Sequence, residues 1–284
     1  MYYGIVIISV LLFGFQFYFN DEYQKKSGTG ASSVFISTFI GSVVGFLCLA
    51  VINEFDFSFT PFALIWSFIT AINSVLYSIC SLKAMEKVNL SVYSLFTMLG
   101  GMMLPFIVGL AFYKEGMTVA KAICVAFVTA ALLITVNWKK KTGAELYYFA
   151  IFILNGMSGV LSKIYEDATL PKVSSGGYSL WIAIMSSVIS LIGLIIIGRR
   201  LKKPSLQAIL FSAGGGIFNR VANFLLLIAL AVLPASVQYP FVTGGVIIVS
   251  TAIAALTKQK PTKKEILAVC MSFIGILALI LIPI

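Results

Sequence analysis

"YYGIVIISVLLFGFQFYFNDE" (residues 2–22) lies over "YYFAIFILNGMSGVLSKIYED" (residues 147–167) at a constant shift of 145 positions. Tyr2 and Tyr3 meet Tyr147 and Tyr148, Gly14 meets Gly159, and the acidic pair Asp21–Glu22 meets Glu166–Asp167. Each copy holds an apolar run close to the roughly 20 residues that a helix needs to cross the hydrocarbon core. Further along, "AMEKVNLSVYSLFTMLGGMMLPFIVGLAFYKEGMT" (84–118) lies over "ALAVLPASVQYPFVTGGVIIVSTAIAALTKQKPT" (229–262). Ala84, Ser91 and Val92 meet Ala229, Ser236 and Val237, and a one-residue slip aligns Gly100–Gly101 with Gly244–Gly245. Weak internal symmetry of this length is a property of transporters.

Around these stretches the rest of the chain has the same character. Its 284 residues are 60% hydrophobic and 11% charged, with a mean hydropathy of +1.04. A soluble domain carries about twice that charged fraction. Ten apolar segments are expected to span: Tyr2–Asn20, Ala31–Ile52, Phe62–Leu82, Leu90–Tyr113, Thr118–Asn137, Leu146–Ser162, Gly177–Gly198, Leu206–Val232, Ala235–Leu256 and Ile266–Ile284. The first is too long for a signal peptide, and "NDEYQKK" after it offers no small-residue cleavage site. Five segments fall in 1–142 and five in 143–284. Because five is odd, the second set enters the membrane upside down. The expected fold is an all-α membrane protein, two inverted five-helix repeats around a central cavity.

The net charge of +10 reflects topology and does not point to nucleic acid. Fifteen of the twenty Lys and Arg residues lie in the odd-numbered connections, among them Lys25, Lys26, Lys139–Lys141, Lys202, Lys203, Lys263 and Lys264. Cytoplasmic loops carry this excess. The odd connections are therefore expected inside and both termini outside, in a multi-pass plasma-membrane protein.

Several chemistries lack their parts. There is no histidine, and Cys48, Cys80, Cys124 and Cys270 lie apart within apolar segments, which is neither a disulfide framework nor a metal pattern. The expectation is no cofactor, no metal, no catalytic residue and no enzyme activity. A hydrolytic or lipid-handling role would need a positioned acid, base or metal.

"GGGIFNRVANF" (214–224) places Arg220 near the centre of the eighth segment. An arginine there costs about 2.5–3.5 kcal/mol on insertion scales, and at 1.5 Å per residue it lies about 20 Å from either end, too far to snorkel. All ten acids (Asp21, Glu22, Glu54, Asp56, Glu86, Glu115, Glu145, Glu166, Asp167 and Glu265) sit at or beyond a segment end. Asn219 and Asn223 can orient a guanidinium but cannot neutralise it. Arg220 is thus a candidate receptor for a carboxylate or phosphate, which its planar fork matches. A structural role, bonded to backbone carbonyls and amides of other helices, is the alternative. Gln16 stands in the first segment, Asn73 and Tyr77 share a face of the third, and Tyr93 lies in the fourth. Asn155 in the sixth and Gln238 and Tyr239 in the ninth complete the candidate lining. Each of these also suits plain helix bridging.

The ten segments, with "GGMMLPFIVGLAFYKEGMT" (100–118) and "GGVIIVSTAIAALTKQKPT" (244–262), resemble the drug/metabolite transporter superfamily in its EamA-like branch. The resemblance covers essentially the whole chain and implies solute transport. An acid usually ends the fourth helix of each half. Glu115 fits, whereas Gln259 and Lys260 stand at the second position. The resemblance also implies cytoplasmic termini, against the charge count, which is kept here. The expected function is secondary transport of a small metabolite bearing an anionic or zwitterionic group. Export of cationic or amphipathic compounds through an aromatic cavity is the alternative. The expected partners are the solute and membrane lipids. Monomer and homodimer both fit the sequence.

Overall fold

The computed structural model describes residues 2–28, 30–87, 90–135, 145–198, 203–257 and 262–282, without the side chains of 82–87, 90–95, 145 and 254. Ten helices follow in order: α1 (Tyr2–Ser27), α2 (Ala31–Ile52), α3 (Pro61–Lys87), α4 (Leu90–Ala111), α5 (Val119–Thr135), α6 (Glu145–Asp167), α7 (Ser175–Ile197), α8 (Leu206–Leu230), α9 (Ala235–Leu256) and α10 (Lys263–Leu281). Among the described residues, eight of them are long and apolar enough to cross a membrane, and the apolar stretches Phe96–Ala111 and Val119–Thr135 are shorter. The chain is an all-helical, multi-pass membrane protein.

Local chemistry explains where the helices begin. Thr60 Oγ1 accepts from the Ala63 amide ahead of Pro61, a residue suited to a first helical position because its missing N–H has no partner there. Ser174 and Ser205 accept from the amides of Gly177 and Ala208 and cap α7 and α8. Thr262 and Glu265 form a reciprocal capping box at α10. At the other end, α7 stops at Gly198 with φ of 53°, a left-handed conformation that glycine adopts without penalty.

Eight helices neighbour one another in closed order: α1, α8, α2, α7, α3, α6, α4, α9 and back to α1. Helices α5 and α10 pair outside this ring and lean on α9. The main buried cluster joins α1, α4, α5, α8, α9 and α10 through residues such as Val10, Met102, Cys124, Leu226, Phe241 and Ile276. Helix α9 is the most enclosed span, with 61% of its apolar window buried against 22–33% for the others. Small residues set the closest approaches. A Cβ on Gly216 of α8 would strike the backbone of Gly41 on α2, and one on Gly100 of α4 would strike Phe152 on α6. Backbones approach this closely in membranes where a small residue stands at the contact.

Candidate functional site

The eighth helix turns three faces in three directions. Toward α1 it presents Gly214, Gly215 and Phe218, packed against Phe19, Asn20 and Phe15. Toward α2 it presents Ser212 and Gly216, and Ser212 Oγ lies 3.1 Å from Ser37 Oγ. Arg220 continues this second stripe at intervals of four residues. Its side chain runs over Gly45, where a Cβ would collide with Arg220 Cγ, and Nη2 then donates to Ser42 Oγ at 2.9 Å. Gly45 is therefore the opening through which the arginine reaches Ser42, itself only 2% exposed.

A guanidinium carries five N–H donors. Among the described residues Ser42 is the one acceptor that Arg220 has, and no carboxylate pairs with it. The residue is half-buried. Around it lies a short amide ladder. Asn219 Nδ2 donates to Gln16 Oε1 at 3.1 Å, and Asn223 Nδ2 donates to the Asn219 carbonyl at 2.8 Å. Gln16 and Asn219 are thus joined across α1 and α8, while Asn223 bonds its own helix and Arg220 reaches α2. Asn223 is exposed.

Leu227, one turn further along the same face, is only 4% exposed and shares a buried cluster with Ala63, Tyr165, Val173 and Tyr178. Through this cluster α8 meets α6 and α7 at the end of the ring that carries the even-numbered connections. The Tyr165 and Tyr178 rings stack with centroids 3.7 Å apart, and Phe62 lies parallel to Tyr165 at 5.6 Å. Their hydroxyls are engaged, Tyr165 donating to the Val173 carbonyl and Tyr178 bonding Thr70 Oγ1. A stacked aromatic cluster therefore sits one helical turn from an exposed asparagine.

The remaining candidates fall elsewhere. Asn73 Nδ2 donates to the Leu154 carbonyl, Asn155 Nδ2 to the Thr97 carbonyl, and Tyr77 OH approaches Thr97 Oγ1 at 3.4 Å. These bonds tie α3, α4 and α6 together, away from α8. Tyr239 OH donates to the Gly159 carbonyl and Gln238 Nε2 to the Leu226 carbonyl, each stitching α9 to a neighbour. The Tyr93 side chain, Gln259 and Lys260 lie outside the described residues.

Sequence reasoning missed Ser42 and Gly45 as partners of Arg220. The available signal was a small-residue stripe, Ser37, Gly41 and Gly45, at four-residue spacing on α2. It also missed how Glu115 is used. The Glu115 carboxylate accepts from the amides of Ala235 and Ser236, 2.9 and 2.8 Å away, at the first turn of α9. Lys163 lies 3.6 Å from it and pairs with Asp167 at 2.8 Å. Burial pushes the Glu115 carboxyl upward, but the Ser236 and Ala235 hydrogen bonds and Lys163 outweigh it, so its pKa falls below the ordinary 4.5. A carboxylate at a helix N-terminus also meets the positive end of the helix dipole.

No family model matches the chain, and no curated protein does. The fold itself has been seen before. One solved structure, described only as the crystal structure of a protein, superposes with a TM-score of 0.76 over 99% of this chain and 99% of its own, at 13% identity. That likeness is one of architecture.

Proposed function

We propose that this chain is a secondary transporter of the plasma membrane that moves a small metabolite with an acidic group by alternating access, with Arg220 as the receptor for that group. The observation that carries the reading is the Arg220 guanidinium, held in the middle of α8 with one acceptor among the described residues. A charge at that depth is retained where it meets a partner or lines a pathway.

The proposed architecture is two inverted five-helix repeats, 1–142 and 143–284, as the resemblance to EamA-like drug/metabolite transporters implies. The neighbour relations support it. Exchanging α1–α5 with α6–α10 turns α1–α8 into α6–α3, α1–α9 into α6–α4 and α2–α8 into α7–α3, and all of these are neighbouring pairs. The pairs α2–α7, α4–α9 and α5–α10 map onto themselves. Residues follow suit: Gly101 faces Asn155, and Gly245 faces Val10, the counterparts under the shifts read from the sequence.

Export of cations through an aromatic cavity has less support, because the best aromatic cluster is stacked on itself. Thermal unfolding of the purified protein with carboxylates, phosphates, zwitterions and quaternary amines tests the choice. A ligand at 100 times its Kd adds about 2.7 kcal/mol to the folded state. Stabilisation by acidic compounds that vanishes in Arg220→Gln is expected; stabilisation by cations, equal in both proteins, would overturn the reading.

A further inference from the structure

We infer that the solute is a monocarboxylate whose other polar groups are uncharged, of the hydroxy- or oxo-acid kind, and is neither a zwitterion nor a dianion. The inference rests on the transporter reading above and narrows its substrate class by charge balance. Arg220 is the one charged side chain at mid-depth among the described helices. The other charges with buried neighbours, Glu115, Lys163 and Lys121, lie at the end that carries the even connections, and Asp21, Glu22 and Lys25 pair near the opposite end. One carboxylate on Arg220 makes the loaded site neutral. A zwitterion would add an ammonium for which no mid-depth acid exists, since all ten acids of the sequence lie near or beyond helix ends. A dianion would leave a negative charge over. Either excess incurs the centre-of-membrane charge penalty, which corresponds to about a 100-fold loss of affinity.

The groups beside Arg220 fit an uncharged remainder. Gln16 and Asn219 each use one amide atom in bonding the other, and Asn223 donates to a backbone carbonyl. One further amide atom on each of the three is unused among the described residues. Together they offer neutral donors and acceptors, and Asn223 is exposed one turn from the buried Leu227. Neutral amides suit a hydroxyl or carbonyl.

Matched pairs that differ only in charge provide the test: lactate and alanine, 2-hydroxyisocaproate and leucine, phenyllactate and phenylalanine, with malate as the dianion. The rise of thermal stability of the full-length protein with free-ligand concentration L at pH 7, fitted to RT ln(1 + L/Kd), gives the apparent Kd of each. At least one hydroxy acid should bind about 100-fold tighter than its amino-acid partner, and malate should bind no better than that amino acid. Asn223→Asp, a near-isosteric change at an exposed position, places a negative charge beside Arg220 and should reverse the preference toward the amino acid. An amino acid that stabilises wild type as well as its hydroxy partner, with the effect lost in Arg220→Gln, overturns this inference and leaves the transporter reading standing. Hydroxy acids acting equally on wild type and Arg220→Gln sink both. No shift from any pair, or an unchanged preference in Asn223→Asp, also overturns the inference.

Discussion

Two polar groups sit near mid-depth in this ring, and they use their hydrogen-bonding capacity differently. On α3, α4 and α6, Asn73 and Asn155 donate to the carbonyls of Leu154 and Thr97, so their capacity goes into joining helices. On α1, α2 and α8, Arg220, Asn219, Asn223 and Gln16 make three side-chain hydrogen bonds among the described residues, from a far larger set of donors and acceptors. The first group carries no charge and the second carries one. Both groups leave amide atoms unused, so what sets the second apart is a charge without a counter-ion among the described residues, the feature on which the proposed solute site rests.

The sharpest way to break this contrast is Arg220→Gln. It should weaken binding of the acidic solute by about 100-fold or more, read as loss of ligand-induced stabilisation, because a desolvated charged hydrogen bond and its charge balance vanish together. Retained binding would place Arg220 with the purely structural group. Gly45→Val comes next. The added side chain collides with Arg220 Cγ, so it should cost about 1–3 kcal/mol in unfolding free energy and displace the guanidinium from Ser42. An unaltered affinity would show that the approach over Gly45 does not position the site.

Glu115→Gln probes a different contact and should cost about 1–2 kcal/mol through the weakened cap on α9. Its pH dependence has a definite sign. The folded carboxyl lies below the ordinary 4.5, so its contribution is complete above that value and disappears as pH falls through the folded pKa. The stability gap between wild type and Glu115→Gln, followed by thermal unfolding, should hold steady from neutral pH to about pH 5 and close below it. A gap that widens in acid would contradict the assignment. The smallest effects belong to Asn73→Ala and Asn155→Ala, each expected to lower stability by about 0.6 kcal/mol with solute affinity unchanged. A tenfold affinity loss in either would erase the contrast.

Much of the fold was legible in the sequence, for reasons visible at the helix ends. The expected Ala31–Ile52 and Ala235–Leu256 coincide with α2 and α9, where the ends of the apolar run are also the ends of the helix. Elsewhere polar turns extend a helix past its apolar run. Helix α1 continues to Ser27 while Lys25 pairs with Asp21 and Glu22, and α6 continues to Asp167 because Lys163 finds both Asp167 and Glu115. Helix α10 starts at Lys263, not Ile266, because its start is written in the Thr262–Glu265 capping box. Arg220 stood out as an isolated charge in an apolar run. Ser42 could not, since a serine beside a small-residue stripe carries no label for a partner 178 positions away. The shared faces of Asn73, Asn155, Gln238 and Tyr239 were readable from helical spacing, but the carbonyl each would bond belongs to the tertiary structure.

The contact between Gly41 and Gly216 also bears on motion. With backbone against backbone, α2 and α8 have no side-chain layer between them to yield, so relative sliding meets steric resistance at the first displacement. Any relative movement of the helices is therefore expected to carry α2 and α8 as a single rigid body. The Arg220–Ser42 bond rides within that body. The glycine contact therefore keeps the arginine's footing on α2 constant.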